Sequence, residues 1–251
     1  TEENGRIAGY TKEYSGEHDM PVLSVSFMAL LVGVFVVYYL APQRCRWMVL
    51  LAASMVFYLA AGLSSLFYML VTSVTVYASA CLMQRMADEQ KAYFKANKLS
   101  REEKAAYRKQ TKRKRKTALI FTLAVNLGLL CFFKYFHFAL EQLNIVAGWF
   151  GGQGIRDTFS LIVPLGISFY TFQSVGYLAD VYGENCRPQT NYFRLLLFIS
   201  FFPQITQGPI SSYEYLSETL YAGHAPNEKN LIWGLQRMLW GFMKKMVIAN
   251  T

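Results

Sequence analysis

The chain has 251 residues, of which 53% are hydrophobic and 16% aromatic, and its formal net charge is +9. A hydrophobic fraction of this size argues against a soluble globular protein. Residues 84–117 hold 13 Lys and Arg against 4 Asp and Glu, a surplus equal to the net charge of the whole chain. The basic character therefore belongs to one loop, and we expect no nucleic-acid partner.

The first segment, residues 1–20, is polar, with two basic and five acidic residues. It is interpreted as an extracytoplasmic leader or an artificial extension in front of a membrane domain that covers 21–251. No cleavable signal peptide is visible in it.

Long uncharged stretches follow. Residues 21–41 and 47–84 contain no charged side chain, and a helix needs about 20 mostly apolar residues to cross a bilayer. The second stretch is too long for one span, so it predicts two helices joined near Gly62. A fourth span is predicted at 117–133.

Three later apolar segments predict further spans, at 161–179, 192–202 and 231–248. The basic segment 84–117 has strong helix formers throughout, so we expect a helical hairpin that extends the third and fourth spans. Loops rich in Lys and Arg stay in the cytoplasm, which places this hairpin inside and the N-terminus outside. Its basic run "KRKRK" is interpreted as an anchor on anionic lipid headgroups.

The four cysteines carry no metal signal. Cys45, Cys81, Cys131 and Cys186 lack the spacing of a metal site, and we expect them to be small core hydrophobes.

The segment after Pro164 places polar side chains in an apolar helix. Ser168 and Thr171 share one face, and an adjoining strip carries Tyr170, Gln173, Ser174 and Tyr177. Such groups bond between membrane helices or line a wet cavity. The sequence leaves both alternatives open.

The stretch "FISFFPQITQGPISSYEYL" interrupts an apolar run with Pro203, Gly208 and Pro209. Irregular backbone at membrane depth is tolerated only inside protein or beside a water-filled cavity. Gln204 and Gln207, on either side of Thr206, are expected to repair the lost backbone bonds. We interpret the stretch as a broken or re-entrant element beside a polar tunnel.

Three ordered motifs resemble one protein family. They are "VPLGISFYTFQSVGYLADVY", "FISFFPQITQGPISSYEYL" and "GLQRMLWGFMKKMVIAN", and they are similar to the membrane-bound O-acyltransferase family. The similarity is to the bacterial branch that includes alginate O-acetyltransferases and the D-alanyl transfer proteins of teichoic acids. It covers nearly everything after Met20.

The resemblance implies an all-α polytopic protein in the bacterial cytoplasmic membrane, with a ring of transmembrane helices around a central tunnel. Its function would be to pass an acyl group, acetyl first, to hydroxyls of an extracellular polysaccharide. The donor would be acetyl-CoA or an acylated carrier protein, with no bound cofactor or metal and with an extracytoplasmic acyltransferase as a further partner. The expected lining residues are Ser168, Tyr170, Gln173, Gln204, Thr206 and Gln207.

In this family the catalytic histidine lies in a later helix, so we expect it beyond residue 251 and expect this chain alone to be inactive. His18, His137 and His224 are poor substitutes. D-alanyl transfer to teichoic acid is the alternative within the family. A transporter or flippase with broken helices and a membrane scaffold are alternatives of other classes, although no internal repeat supports the transporter.

Overall fold

A computed structural model describes residues 25–97, 100–149, 164–205, 208–244 and 247. Within these ranges the regular structure is helical and no strand is present, which confirms the all-α prediction. The helices are α1 (Val25–Leu40), α2 (Arg46–Ala61), α3 (Leu63–Ala96), α4 (Arg101–Trp149), α5 (Ile167–Gly183), α6 (Tyr192–Ser200), α7 (Phe202–Ile205), α8 (Tyr213–Tyr221) and α9 (Glu228–Met243).

Three helical stretches are long and apolar enough to cross a membrane: Gln43–Ala61, Leu63–Ala96 and Arg101–Phe136. Large apolar side chains on them remain exposed, among them Phe67 at 61% and Phe121 at 70%. Such surfaces are costly in water and suit a lipid environment. The chain is therefore an all-α polytopic membrane protein.

The predicted junction at Gly62 is confirmed. This residue has φ +120° between α2 and α3, a conformation that glycine adopts without the steric cost of a Cβ. Beyond it, α3 is the central helix, because it packs against α2, α4, α5 and α6.

The basic hairpin is helical on both arms, as predicted. At the start of α4, Glu103 N–H donates to Ser100 Oγ at 3.2 Å, and Ser100 N–H donates to Glu103 Oε2 at 2.9 Å. This reciprocal pair is a capping box. The rings of Tyr93 and Tyr107 stack between the arms at 4.8 Å. Which side of the membrane the hairpin faces stays a prediction.

The later predicted spans are shorter than the sequence indicates. α6 has nine residues, about 13 Å of helix against about 30 Å of hydrocarbon. α5 begins at Ile167 rather than at Pro164, and α9 has 16 residues, none of them buried. The apolar segment 192–202, which was predicted to run into the break, forms a helix too short to cross the membrane by itself. The broken element predicted there is what the structure shows.

The cysteines also differ from expectation. Cys45 and Cys131 are exposed, and Cys81 and Cys186 are half-buried, so none is a fully buried core residue. Cys131 lies on the apolar part of α4, where a small thiol is compatible with lipid. The prediction of core cysteines is wrong for Cys45 and Cys131, which are exposed. Cys186 packs against the edge of the main apolar core.

Arg46, at the start of α2, is a buried charge that joins the first helices to the segment before α9. It is 6% exposed, and its guanidinium donates to the carbonyls of Ala41, Gly223 and His224. The rings of Tyr38 and Tyr39 each lie 5.3 Å from the same guanidinium. The helix pair α1–α2 is thereby tied to the turn before α9.

We expect Arg46→Gln to lower the free energy of unfolding by about 2 kcal/mol, because hydrogen bonds from a charged donor are lost and buried carbonyls are left without a partner. Arg44→Gln, at an exposed position in the 3-10 turn Gln43–Cys45 directly before α2, is expected to stay within about 0.5 kcal/mol of wild type. Melting temperatures in one detergent preparation compare the two. Equal melting of both variants would contradict the anchoring role.

Candidate functional site

The candidate site is the interruption between α6 and α8. α6 ends at Ser200, and Phe201 has ψ 102°, outside the helical range. The single turn α7 follows. Pro203 is the second residue of that turn, where its missing N–H is not needed by the helix.

Of the backbone hydrogen bonds that the break removes, one is replaced by side chains of two other helices. In a continuous helix Phe202 N–H would donate to Phe198 C=O. Instead the Phe198 carbonyl accepts from Gln173 Nε2 at 2.8 Å, and Phe202 N–H donates to Ser54 Oγ at 3.4 Å. Gln173 comes from α5 and Ser54 from α2, so both halves of the lost bond have partners.

This arrangement corrects the prediction that Gln204 repairs the backbone. The Gln204 side chain instead continues a chain of polar contacts: its Oε1 lies 3.5 Å from Gln173 Nε2, and its Nε2 donates to Ser211 Oγ at 2.9 Å. Thr206 and Gln207 lie outside the described residues, so their predicted roles stay predictions. Among the described glutamines, Gln173 is the one whose side chain bonds a backbone carbonyl freed by the break.

Two glycines allow the close packing around the break. A Cβ on Gly166, which has φ +69°, would approach the Ile205 side chain to 2.0 Å, and a Cβ on Gly208 would lie 2.6 Å from Gln204 Cα. Gly208 N–H donates to the Gln204 carbonyl at 2.7 Å. The motifs "PLGI" and "QGP" therefore mark places where backbone must approach closely.

Four buried hydroxyls lie on the helices that meet here. Tyr58, Tyr170, Ser174 and Ser200 are each at most 1% exposed, and their hydroxyl oxygens have no hydrogen-bond partner among the described residues. Tyr170 and Ser174 are one turn apart on α5 and share a face. A buried polar group without a partner costs about 1–3 kcal/mol, so these groups have hydrogen-bonding capacity for a polar molecule.

Of the predicted lining residues, the structure brings Gln173 and Gln204 together. Tyr170 is buried and Ser168 half-buried on the same helix as Gln173. Sequence reasoning missed Ser54, Tyr58, Ser200 and Ser211. A lone hydroxyl in an apolar helix is no specific signal, because such a group commonly bonds its own helix. Ser54 does so too, donating to Leu50 C=O at 2.9 Å.

The described part of the chain shows no metal cluster, and Cys186 is not an activated nucleophile. Burial, reinforced by Asp180 and Glu214, raises the pKa of Cys186 to about 11, so its thiol is protonated at neutral pH and a poor nucleophile. His224 is exposed, and the side chain of His137 is outside the described set. No group of three metal-ligating side chains occurs among these residues.

Comparison with curated proteins identifies relatives. The chain is 31% identical to the probable alginate O-acetylase of Pseudomonas aeruginosa over 227 residues, which are 90% of this chain and 39% of that protein. It is 32% identical to a peptidoglycan O-acetyltransferase of Helicobacter pylori over 63% of this chain and 33% of the relative. A teichoic acid D-alanyltransferase of Bacillus subtilis is 33% identical over 36% of this chain and 23% of its own length.

The chain belongs to the bacterial branch of the membrane-bound O-acyltransferase family. It spans about two fifths of the length of the alginate O-acetylases it matches. No protein-family model matches it. No solved structure matches it either.

We expect Gln173→Leu to lower the free energy of unfolding by about 1–3 kcal/mol, because the Phe198 carbonyl, on a residue with no exposed surface, loses its donor. Gln142→Leu is the matched control, since Gln142 is exposed on α4 and should change stability by no more than about 0.5 kcal/mol. Detergent melting curves measure both. If Gln173→Leu melts with wild type, the amide is not what stabilises the break.

Proposed function

We propose that the full-length protein containing this chain transfers an acetyl group to hydroxyls of a polysaccharide outside the bacterial cytoplasmic membrane. The observation that carries this proposal is the polar centre of the break, where an amide chain and buried hydroxyls meet inside apolar helices. The similarity to named alginate and peptidoglycan O-acetyltransferases supports it.

The lining we propose is neutral: Ser168, Tyr170, Gln173 and Gln204, with Thr206 and Gln207. A charged side chain at this depth is costly, whereas hydroxyls and amides can hold both a sugar hydroxyl and an acyl carbonyl. In the transition state the same donors can stabilise the oxygen on which negative charge develops. We assign the general base to none of the described residues.

In this proposal the acyl donor, acetyl-CoA or an acylated carrier protein, acts from the cytoplasmic side and the glycan from outside. A ring of helices around a tunnel would let the two meet without either crossing. An extracytoplasmic acyltransferase is a further partner in this proposal.

A second candidate is D-alanyl transfer to teichoic acid. The similarity to the Bacillus subtilis protein over 92 residues favours it. The polar lining suits either acyl group, because both reactions join a carbonyl to a polymer hydroxyl.

Labelled acetate and labelled D-alanine distinguish the two candidates. In cells that produce the full-length protein we expect acetate to enter the surface polymer and D-alanine incorporation to stay at the level of a deletion strain. The opposite pattern would establish the second candidate. Incorporation of neither label above the deletion strain would overturn the proposed reaction class.

In the same assay Gln204→Leu should lower acetyl transfer at least about fivefold, equivalent to about 1 kcal/mol of transition-state stabilisation, while the protein still inserts. Its amide contacts Gln173 and Ser211 rather than the backbone, so a fold defect is not required. Gln142→Leu is again the control. Full activity of Gln204→Leu would remove this residue from the proposed passage.

The proposed topology places the hairpin in the cytoplasm and residues 1–20 outside. In a background with the four cysteines replaced by alanine, Lys95→Cys on exposed α3 surface should react with a membrane-impermeant maleimide only after permeabilisation. Ser15→Cys should react in intact cells. Labelling of Lys95→Cys in intact cells would show that the hairpin faces outside and would contradict the proposed orientation.

A further inference from the structure

A second polar region lies at the hairpin, away from the break. A cavity of about 590 Å³ is bounded by α3, α4 and the end of α5. Four basic side chains line it, Lys91, Arg108, Lys112 and Arg115, together with one acidic residue, Glu184, and the rings of Phe94 and Tyr182. Its volume is within the usual range for a small-molecule site, about 300–1,000 Å³.

The bases line the cavity because of helix periodicity. Arg108, Lys112 and Arg115 follow one another at i, i+4 and i+7 on α4, which places them on one face. Lys109 and Arg113 are one residue further along and do not line the cavity. The basic residues of this part of α4 are therefore divided between a face that lines the cavity and faces that do not.

Arg115 is built into the wall of this cavity. It is 9% exposed and pairs with Glu184 at 2.5 Å. It also donates to the carbonyls of Val181 and Tyr182 at 3.2 and 3.1 Å, and its guanidinium lies 5.6 Å from the Tyr182 ring. Its Nε has no partner among the described residues.

The remaining cavity charges are not neutralised. In the described part of the chain, Lys91, Arg108 and Lys112 form no ion pair with a carboxylate. Arg108 instead lies over the Phe94 ring at 5.6 Å. Cations held together without counter-charge repel one another, and an anion between them relieves that repulsion.

We propose that this cavity is a binding site for a phosphate group. Arginine donors match the geometry of phosphate oxygens, and lysine adds charge without fixed geometry. The chemistry is the same whether the phosphate belongs to a soluble molecule or to an anionic lipid headgroup. The site does not depend on the proposed acyl transfer.

The test uses the full-length protein in nanodiscs and two charge-matched pairs. Arg108→Gln/Lys112→Gln removes one Arg and one Lys from the cavity face. Lys109→Gln/Arg113→Gln removes one of each, also four residues apart, from exposed positions outside the cavity. The probes are pyrophosphate, titrated in phosphatidylcholine nanodiscs, and retention of phosphatidylglycerol, measured by native mass spectrometry.

We expect the cavity pair to weaken binding at least about tenfold, or about 1.4 kcal/mol, and the control pair to stay within about twofold. A selective loss of pyrophosphate binding identifies a soluble phosphate ligand. A selective loss of phosphatidylglycerol retention alone identifies a lipid headgroup. Equal losses in both pairs, or no binding of either probe by wild type, would overturn the proposal.

Discussion

The architecture around the candidate site depends on the replacement of one backbone hydrogen bond that the break removes. Phe198 and Phe202 would pair in a continuous helix, and lipid offers no water to replace that pairing. Gln173 and Ser54 supply the two substitutes. Because these side chains belong to α5 and α2, the break is tied to two neighbouring helices and cannot shift without both of them.

Further contacts connect the start of α5 to the same place. Leu165 N–H donates to Ser65 Oγ at 3.1 Å, which links the residues before α5 to the first turn of α3. Gly166 lets this segment approach Ile205 of α7. The beginning of α5, the α2–α3 junction and the break therefore form one packed unit. This packing holds α5 next to the break.

The sequence predicted the broken helix and the polar face of α5, because prolines, glycines and 3.6-residue periodicity are local signals. It did not predict which side chains satisfy the broken backbone. Ser54 is 148 residues from Phe202, and Gln173 is 25 from Phe198, so both pairings depend on tertiary packing. Gln204 was the nearer amide and the natural choice from sequence, but proximity along the chain does not decide which carbonyl an amide reaches.

The cavity at the hairpin was missed for the same reason, since Glu184 meets Arg115 across 69 positions.

The two polar regions differ in charge, and their surroundings explain the difference. At the break the described polar side chains are neutral amides and hydroxyls, and Gln173 is 4% exposed. At the hairpin the cavity is lined by cations on helix segments rich in charge. Desolvating a charge is far more costly than desolvating an amide that keeps its hydrogen bonds, so cations can converge only where α3 and α4 have left the apolar stretch.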